Sequence, residues 1–197
     1  MSMLTATQAR PKKRLAPKPL HDGKRMTLED FRNWSPEDGF KYEWNNGFLE
    51  ARDMIPLSEL YIVNNLLRAF QNTSAFKEGG MLFPETVCPI SEGKYRVPDI
   101  SFLTKAQINE GREGKSPIAS LIIELVSEND TMNYYNRKLE EYFGAGVKCV
   151  WLIFPVGQKV WVFSSPKDVK ICTGDDVCSG VPAVPDFQLS VNQIFQS

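Results

Sequence analysis

The sequence predicts a mixed α/β (α+β) fold, a mixed β-sheet flanked by helices. Strand-like stretches come before, between and after helical ones. The two most apolar stretches, residues 119–126 and 147–154, are separated by one helical pattern. That arrangement suits a parallel crossover, in which a helix carries the chain back to the same sheet. A chain of 197 residues with 42% apolar content can bury one ordinary core.

Residues 1–25 hold Pro11, Pro17 and Pro19 and almost no periodic apolar pattern. They are expected to form a disordered basic arm, ahead of a single domain over 26–197. Thr27, with Asp30 three residues on, resembles a capping box and starts a short helix that stops near Ser35 and Pro36. Asn46-Gly47 is a strong hairpin signal and pairs residues 41–45 with 48–51. Leu60, Val63, Leu67 and Phe70 recur at helical spacing and predict a helix over 57–71. Strands are expected at 81–90, 96–103 and 119–127, with a charged loop at 105–116. A helix over 131–144 ends at Gly144 or Gly146. Residues 147–154 and 159–164 form two further strands around a turn at Pro155 and Gly157. The tail packs through Phe187, Leu189, Val191 and Phe195.

Glu124 is the anomaly. It sits in Leu121-Ile122-Ile123-Glu124-Leu125-Val126, an apolar run of the kind buried on both faces. A carboxylate there is paired with a cation, neutralised or bound to metal. Asp99 opens a strand just after Pro98, where it is either a turn residue or a ligand. Lys138 borders the helical stripe of Tyr135, Leu139 and Tyr142. It either snorkels over the edge of the core or points into a cleft. Two carboxylates and a lysine have a joint chemistry. Mg²⁺ prefers oxygen ligands and takes one or two carboxylates with water and phosphate. A lysine beside it can hold the attacking water and offset developing negative charge. The single histidine, His21, lies in the N-terminal segment, which argues against histidine general-base catalysis.

The same residues carry a family resemblance. Tyr42-Glu43-Trp44-Asn45-Asn46-Gly47, Pro98-Asp99-Ile100-Ser101, Glu124-Leu125-Val126-Ser127, the Lys138/Tyr142 spacing, and Ala145-Gly146-Val147 followed by Trp151-Leu152-Ile153 and Pro155 occur in order. Over about residues 26–195 the chain resembles the Uma2 family, also called DUF820, of the PD-(D/E)XK nuclease superfamily. The blocks are weak singly; their ordered set is specific. The resemblance implies a restriction-endonuclease-like core, with Asp99 and Glu124 as ligands of Mg²⁺ (or Mn²⁺). The superfamily lysine normally lies two residues after the second acid, where this chain has Val126, so the resemblance assigns that role to Lys138 on the next helix. Glu43 matches an early family acid and is either a further catalytic group or a surface hairpin residue.

The chain departs from the family pattern at three places. Tyr134 stands where members often have an aspartate, Leu60 and Tyr61 lie where they often have a histidine, and Phe154 replaces an aspartate. Two functions follow. One is a metal-dependent endonuclease hydrolysing DNA phosphodiester bonds, expected as a homodimer because cutting both strands takes two sites. The other is a catalytically silent nuclease fold that binds nucleic acid or a protein.

Bulk properties narrow the classes. No apolar run is long enough to span a membrane, and no secretory signal is visible, so a cytoplasmic protein is expected. Cys88, Cys149, Cys172 and Cys178 include no CxxC pair and are read as reduced structural thiols. Residues 1–25 carry a net +6 in a chain of net −1, leaving −7 on the rest. Such an arm either touches phosphates or has no role.

Overall fold

The computed structural model describes residues 18–127 and 130–196. Its helices are α1 (Leu28–Asn33), α2 (Leu60–Phe70), α3 (Ser74–Lys77), α4 (Lys105–Arg112), α5 (Met132–Ala145) and α6 (Val191–Ile194). The strands run in three groups. β1 (Lys41–Asn45), β2 (Phe48–Arg52), β4 (Cys88–Ser91) and β5 (Lys94–Arg96) form a small antiparallel sheet in the order β2-β1-β5-β4. β3 (Met81–Pro84), β6 (Ile100–Leu103), β7 (Leu121–Leu125), β8 (Cys149–Phe154), β9 (Lys159–Ser165) and β10 (Asp168–Thr173) form the main sheet, ordered β10-β9-β8-β7-β6-β3. β11 (Val177–Gly180) and β12 (Val184–Ser190) pair separately.

The main sheet is mixed, as expected. β7 and β8 are parallel, and α5 is the crossover between them; the other pairs are antiparallel. Alternation along β7 assigns the two faces. Leu121, Ile123 and Leu125 pack with α2, α6 and β12, whereas Ile122 packs with Tyr135, Leu139 and Tyr142 of α5. Glu124 is two residues on from Ile122 and therefore faces α5.

Local chemistry explains most boundaries. Asn46 and Gly47 both have positive φ (50° and 88°), as a tight hairpin turn requires. The Thr27 side chain caps α1 by accepting from Asp30 N–H at 3.1 Å. Gly146, at φ 107°, ends α5 in a left-handed cap.

Several expectations are corrected. The single strand expected at 81–90 is two strands in different sheets, broken at Glu85, whose φ is 45°. The strand expected at 96–103 is likewise split, because Val97, Pro98 and Asp99 carry the chain from the small sheet to the main one. The loop expected at 105–116 contains α4, which opens on a Thr104/Gln107 capping box. The buried stripe of α2 is Ile62, Val63, Leu66 and Phe70, rotated from the expected one, and Leu60 is exposed. Both sets satisfy helical spacing, so periodicity alone could not choose between them. Residues 18–25 of the arm expected over 1–25 are instead packed against the domain. Gly23 N–H donates to Leu49 O (2.8 Å), Leu49 N–H to Lys24 O (2.9 Å), and Arg25 bridges Phe48, so this segment lies along the open edge of β2. Residues 1–17, with most of the basic charge, lie outside the described residues.

All four cysteines are free and buried, in keeping with their reading as structural thiols. Burial pushes the Cys88 thiol up to about 11 and the Cys149 thiol up to about 12. Thiolates are the reactive form, so native protein is expected to resist iodoacetamide at about pH 8 and to label fully only after denaturation. Mass spectrometry of the alkylated protein checks this; fast native labelling at Cys88 or Cys149 would contradict the packing described.

Candidate active site

Asp99 and Glu124 meet at one end of the main sheet. The antiparallel register pairs Ile100 with Ile123, which sets Asp99 opposite Glu124. Leu125 N–H donates to Asp99 Oδ2 at 2.7 Å and locks this alignment. Both acids are nearly inaccessible, at 5% and 3% exposure, yet both line a cleft of about 670 Å³. Lys41, Arg52, Tyr134 and Lys138 line the same cleft. Acidic side chains outnumber basic ones two to one along its walls.

Helix α5 brings the lysine. Tyr134, Lys138 and Tyr142 lie one turn apart on one stripe of the helix. Lys138 Nζ sits 2.7 Å from Glu124 Oε1, and the Tyr142 hydroxyl donates to the same oxygen. Lys138 is also 3.3 Å from Glu43 Oε1. Its exposure is 3%, so it does not snorkel to solvent. Two buried carboxylates hold the ammonium inside.

Glu43 is wholly buried, and its reading as a surface hairpin residue is corrected. It sits behind the cleft wall and accepts from Arg96 (2.6 Å), Arg52 (3.2 Å), the Tyr134 hydroxyl (3.3 Å) and Val97 N–H (3.2 Å), besides pairing with Lys138. These partners hold the carboxylate in one place. Arg96 extends the network by donating to Glu141 of α5 at 2.9 Å, which ties the small sheet to the helix.

The electrostatics follow from burial and pairing. Burial raises the Glu124 pKa, and neighbouring Asp99 adds to that against the opposing pull of Lys138 and Lys41. Burial alone would lower the Lys138 pKa, but Glu124 and Glu43 outweigh it and hold it above the ordinary lysine value. Burial would likewise raise Glu43, yet Lys138, Arg96 and Arg52 together keep it well below the usual carboxylate range. Lys138 is therefore a permanent cation and Glu43 a permanent anion at neutral pH.

The donor set suits a small hard cation. It offers carboxylate oxygens from β7 and from the residue just before β6 at the wall of a cleft large enough for water and a phosphate. Among the described residues no group of three or more His, Cys, Asp or Glu side chains is placed to hold a metal ion, so any site here rests on the two acids and water. Mg²⁺ commonly binds this way, with few protein carboxylates and several waters.

The structure thus brings together all four residues singled out in the sequence: Glu43, Asp99, Glu124 and Lys138. It adds Lys41, which pairs with Asp99, and Arg52, Arg96, Tyr134 and Tyr142. A faint signal existed for Lys41 and Glu43, since residues two apart on a strand share a face. The long-range partners needed the sheet register.

A mixed sheet flanked by helices, with buried acids and a lysine at one end, is the arrangement the sequence resemblance implied. Residues 28–192 match the Uma2 family, described as "Putative restriction endonuclease", and the chain belongs to that family. Among solved structures it is similar to a protein described as "a putative nuclease belonging to DUF820" from Anabaena variabilis ATCC 29413. That likeness has 19% identity and a TM-score of 0.69, covering 86% of this chain and 97% of the other. At such identity the likeness speaks for the fold. No curated protein matches the chain.

Proposed function

We propose that the cleft hydrolyses DNA phosphodiester bonds with a divalent cation, Mg²⁺ or Mn²⁺, held by Asp99 and Glu124. The observation that carries this is the buried Lys138 ammonium, 2.7 Å from Glu124 and backed by Glu43, beside a second acid in an open cleft. When bound, the cation supplies Lewis acidity toward a phosphoryl oxygen and makes water a better nucleophile. Lys138 stays protonated, so it orients the attacking water and offsets the charge that builds on the phosphoryl group. Glu43 positions Lys138, and Tyr142 fixes the Glu124 carboxylate. The surplus of acids along the cleft would repel a phosphate backbone unless a cation neutralised it first. A homodimer would place two such sites on the two strands of a duplex. No helix among the described residues is long and apolar enough to cross a membrane.

A second reading is a silent nuclease fold that binds nucleic acid or a protein. It draws support from the site itself, since both acids already pair with lysines. Nicking of supercoiled plasmid with Mn²⁺ or Mg²⁺ separates the two. Under the endonuclease reading wild type nicks and Glu124→Ala does not; equal nicking by both, or none by either across plasmid, linear and single-stranded DNA, supports the silent fold.

A further inference from the structure

Lys41 is a basic group of the cleft to which the proposed chemistry gives no role. It projects from the first residue of β1, and its side chain is 13% exposed. Its ammonium donates to Asp99 Oδ1, while Asp99 Oδ2 is held by Leu125 N–H. Both oxygens of this acid are thus engaged. A cation approaching Oδ1 must compete with Lys41, because two positive charges sharing one oxygen repel each other.

A second acceptor lies beside it. Glu85 Oε1 is 3.8 Å from Lys41 Nζ, too long for a hydrogen bond. That oxygen is buried and has no hydrogen-bond partner among the described residues. An unmet buried carboxylate oxygen is costly. Here it is also well placed. The Glu85 backbone N–H donates to Asp99 O at 3.1 Å, so the loop carrying Glu85 is fastened to the strand entrance carrying Asp99. A small rotation of the Lys41 side chain would trade Asp99 for Glu85.

We propose that Lys41 is an exchangeable counter-ion of the metal site: it neutralises Asp99 until a divalent cation binds, then moves onto Glu85. Lys41 sets the threshold for metal binding, and Glu85 is the acceptor that makes the exchange inexpensive. Lys41 is a positioning residue in this scheme, acting through Asp99. The inference rests on the assignment of Asp99 and Glu124 as metal ligands.

Calorimetric titration of Mn²⁺ into the purified full-length chain, without DNA, tests it. Lys41→Met is expected to tighten Mn²⁺ binding about tenfold, equivalent to about 1.4 kcal/mol of lost competition. Lys41→Arg, which keeps the charge, should restore weak binding. Glu85→Gln should weaken binding several-fold when Lys41 is present and leave it unchanged in the Lys41→Met background. Lys41→Gln serves in place of Lys41→Met if circular dichroism shows the latter to be misfolded. Binding that depends on Glu124 but is unaltered by Lys41→Met overturns the exchange alone. So does a Glu85→Gln loss of equal size in both backgrounds, which would make Glu85 a direct ligand or a remote charge. Binding indifferent to Glu124→Ala, or none in any variant, overturns the metal-site assignment and the exchange with it.

Discussion

Arg96→Met is expected to destabilise the protein by about 3–5 kcal/mol, the usual result of removing one partner from a buried ion network. For a chain of this size that lowers Tm by roughly 10 °C. Arg96 is 3% exposed and serves three carboxylates: Glu43 at 2.6 Å, Glu50 at 3.1 Å and Glu141 at 2.8 Å. Methionine keeps the packing volume but leaves a fully buried Glu43 with less cationic cover and cuts the link between β5 and α5. Glu43 also gives the loss a pH signature. Its carboxyl is depressed in the fold, so it contributes stability above its unfolded pKa of about 4.5, and that contribution fades as pH falls through the lower folded value. Arg96→Met weakens the depression, and its deficit should therefore be largest at neutral pH and shrink on acidification. Arg96→Lys should recover only part of the loss, because an ammonium cannot reproduce the guanidinium fork. Urea denaturation at neutral and acid pH reads all of this, and a neutral-pH deficit below about 1 kcal/mol would mean that the network does not couple sheet to helix.

This network shows where sequence reasoning stops. Glu124 was legible because an acid inside an unbroken apolar strand is an anomaly at any register. The crossover around α5 was legible because two long apolar strands flank a capped helix. Lys138 could be placed only at the edge of a stripe. Whether it reached solvent or a carboxylate depended on Glu43, nearly a hundred residues earlier in the chain. Lys41, Arg52 and Arg96 each look like ordinary strand charges in isolation. They become part of a site once Glu43 is known to be buried, and that follows from the docking of the small sheet against α5. The two split strands failed for a related reason. Residues 81–90 and 96–103 each keep largely strand-like composition across the point where the chain changes sheet, so composition marks the breaks only by prolines, Pro84 and Pro89 in the first and Pro98 in the second.

Lys138→Met is expected to reduce plasmid nicking by about 10²–10³-fold, the range found when a group stabilising transition-state charge is removed. Two different roles for this lysine predict different pH behaviour. A general base would have to lose its proton, and the rate would climb through a lysine pKa brought down toward neutrality. Glu124 and Glu43 instead hold the Lys138 pKa above the ordinary lysine value, against the effect of burial. The ammonium therefore persists across roughly pH 6–9, where enzymes are usually assayed, and the wild-type rate profile should carry no rising limb due to this residue. Lys138→Arg supplies the discriminating control. Arginine cannot act as a base, yet it keeps the charge, so partial activity in Lys138→Arg with none in Lys138→Met supports an electrostatic role. Mn²⁺ titration of Lys138→Met separates this from loss of the metal site, since the variant removes a cation and spares both carboxylates. A lysine-dependent rising limb that disappears in Lys138→Arg would reverse the assignment and make Lys138 the base.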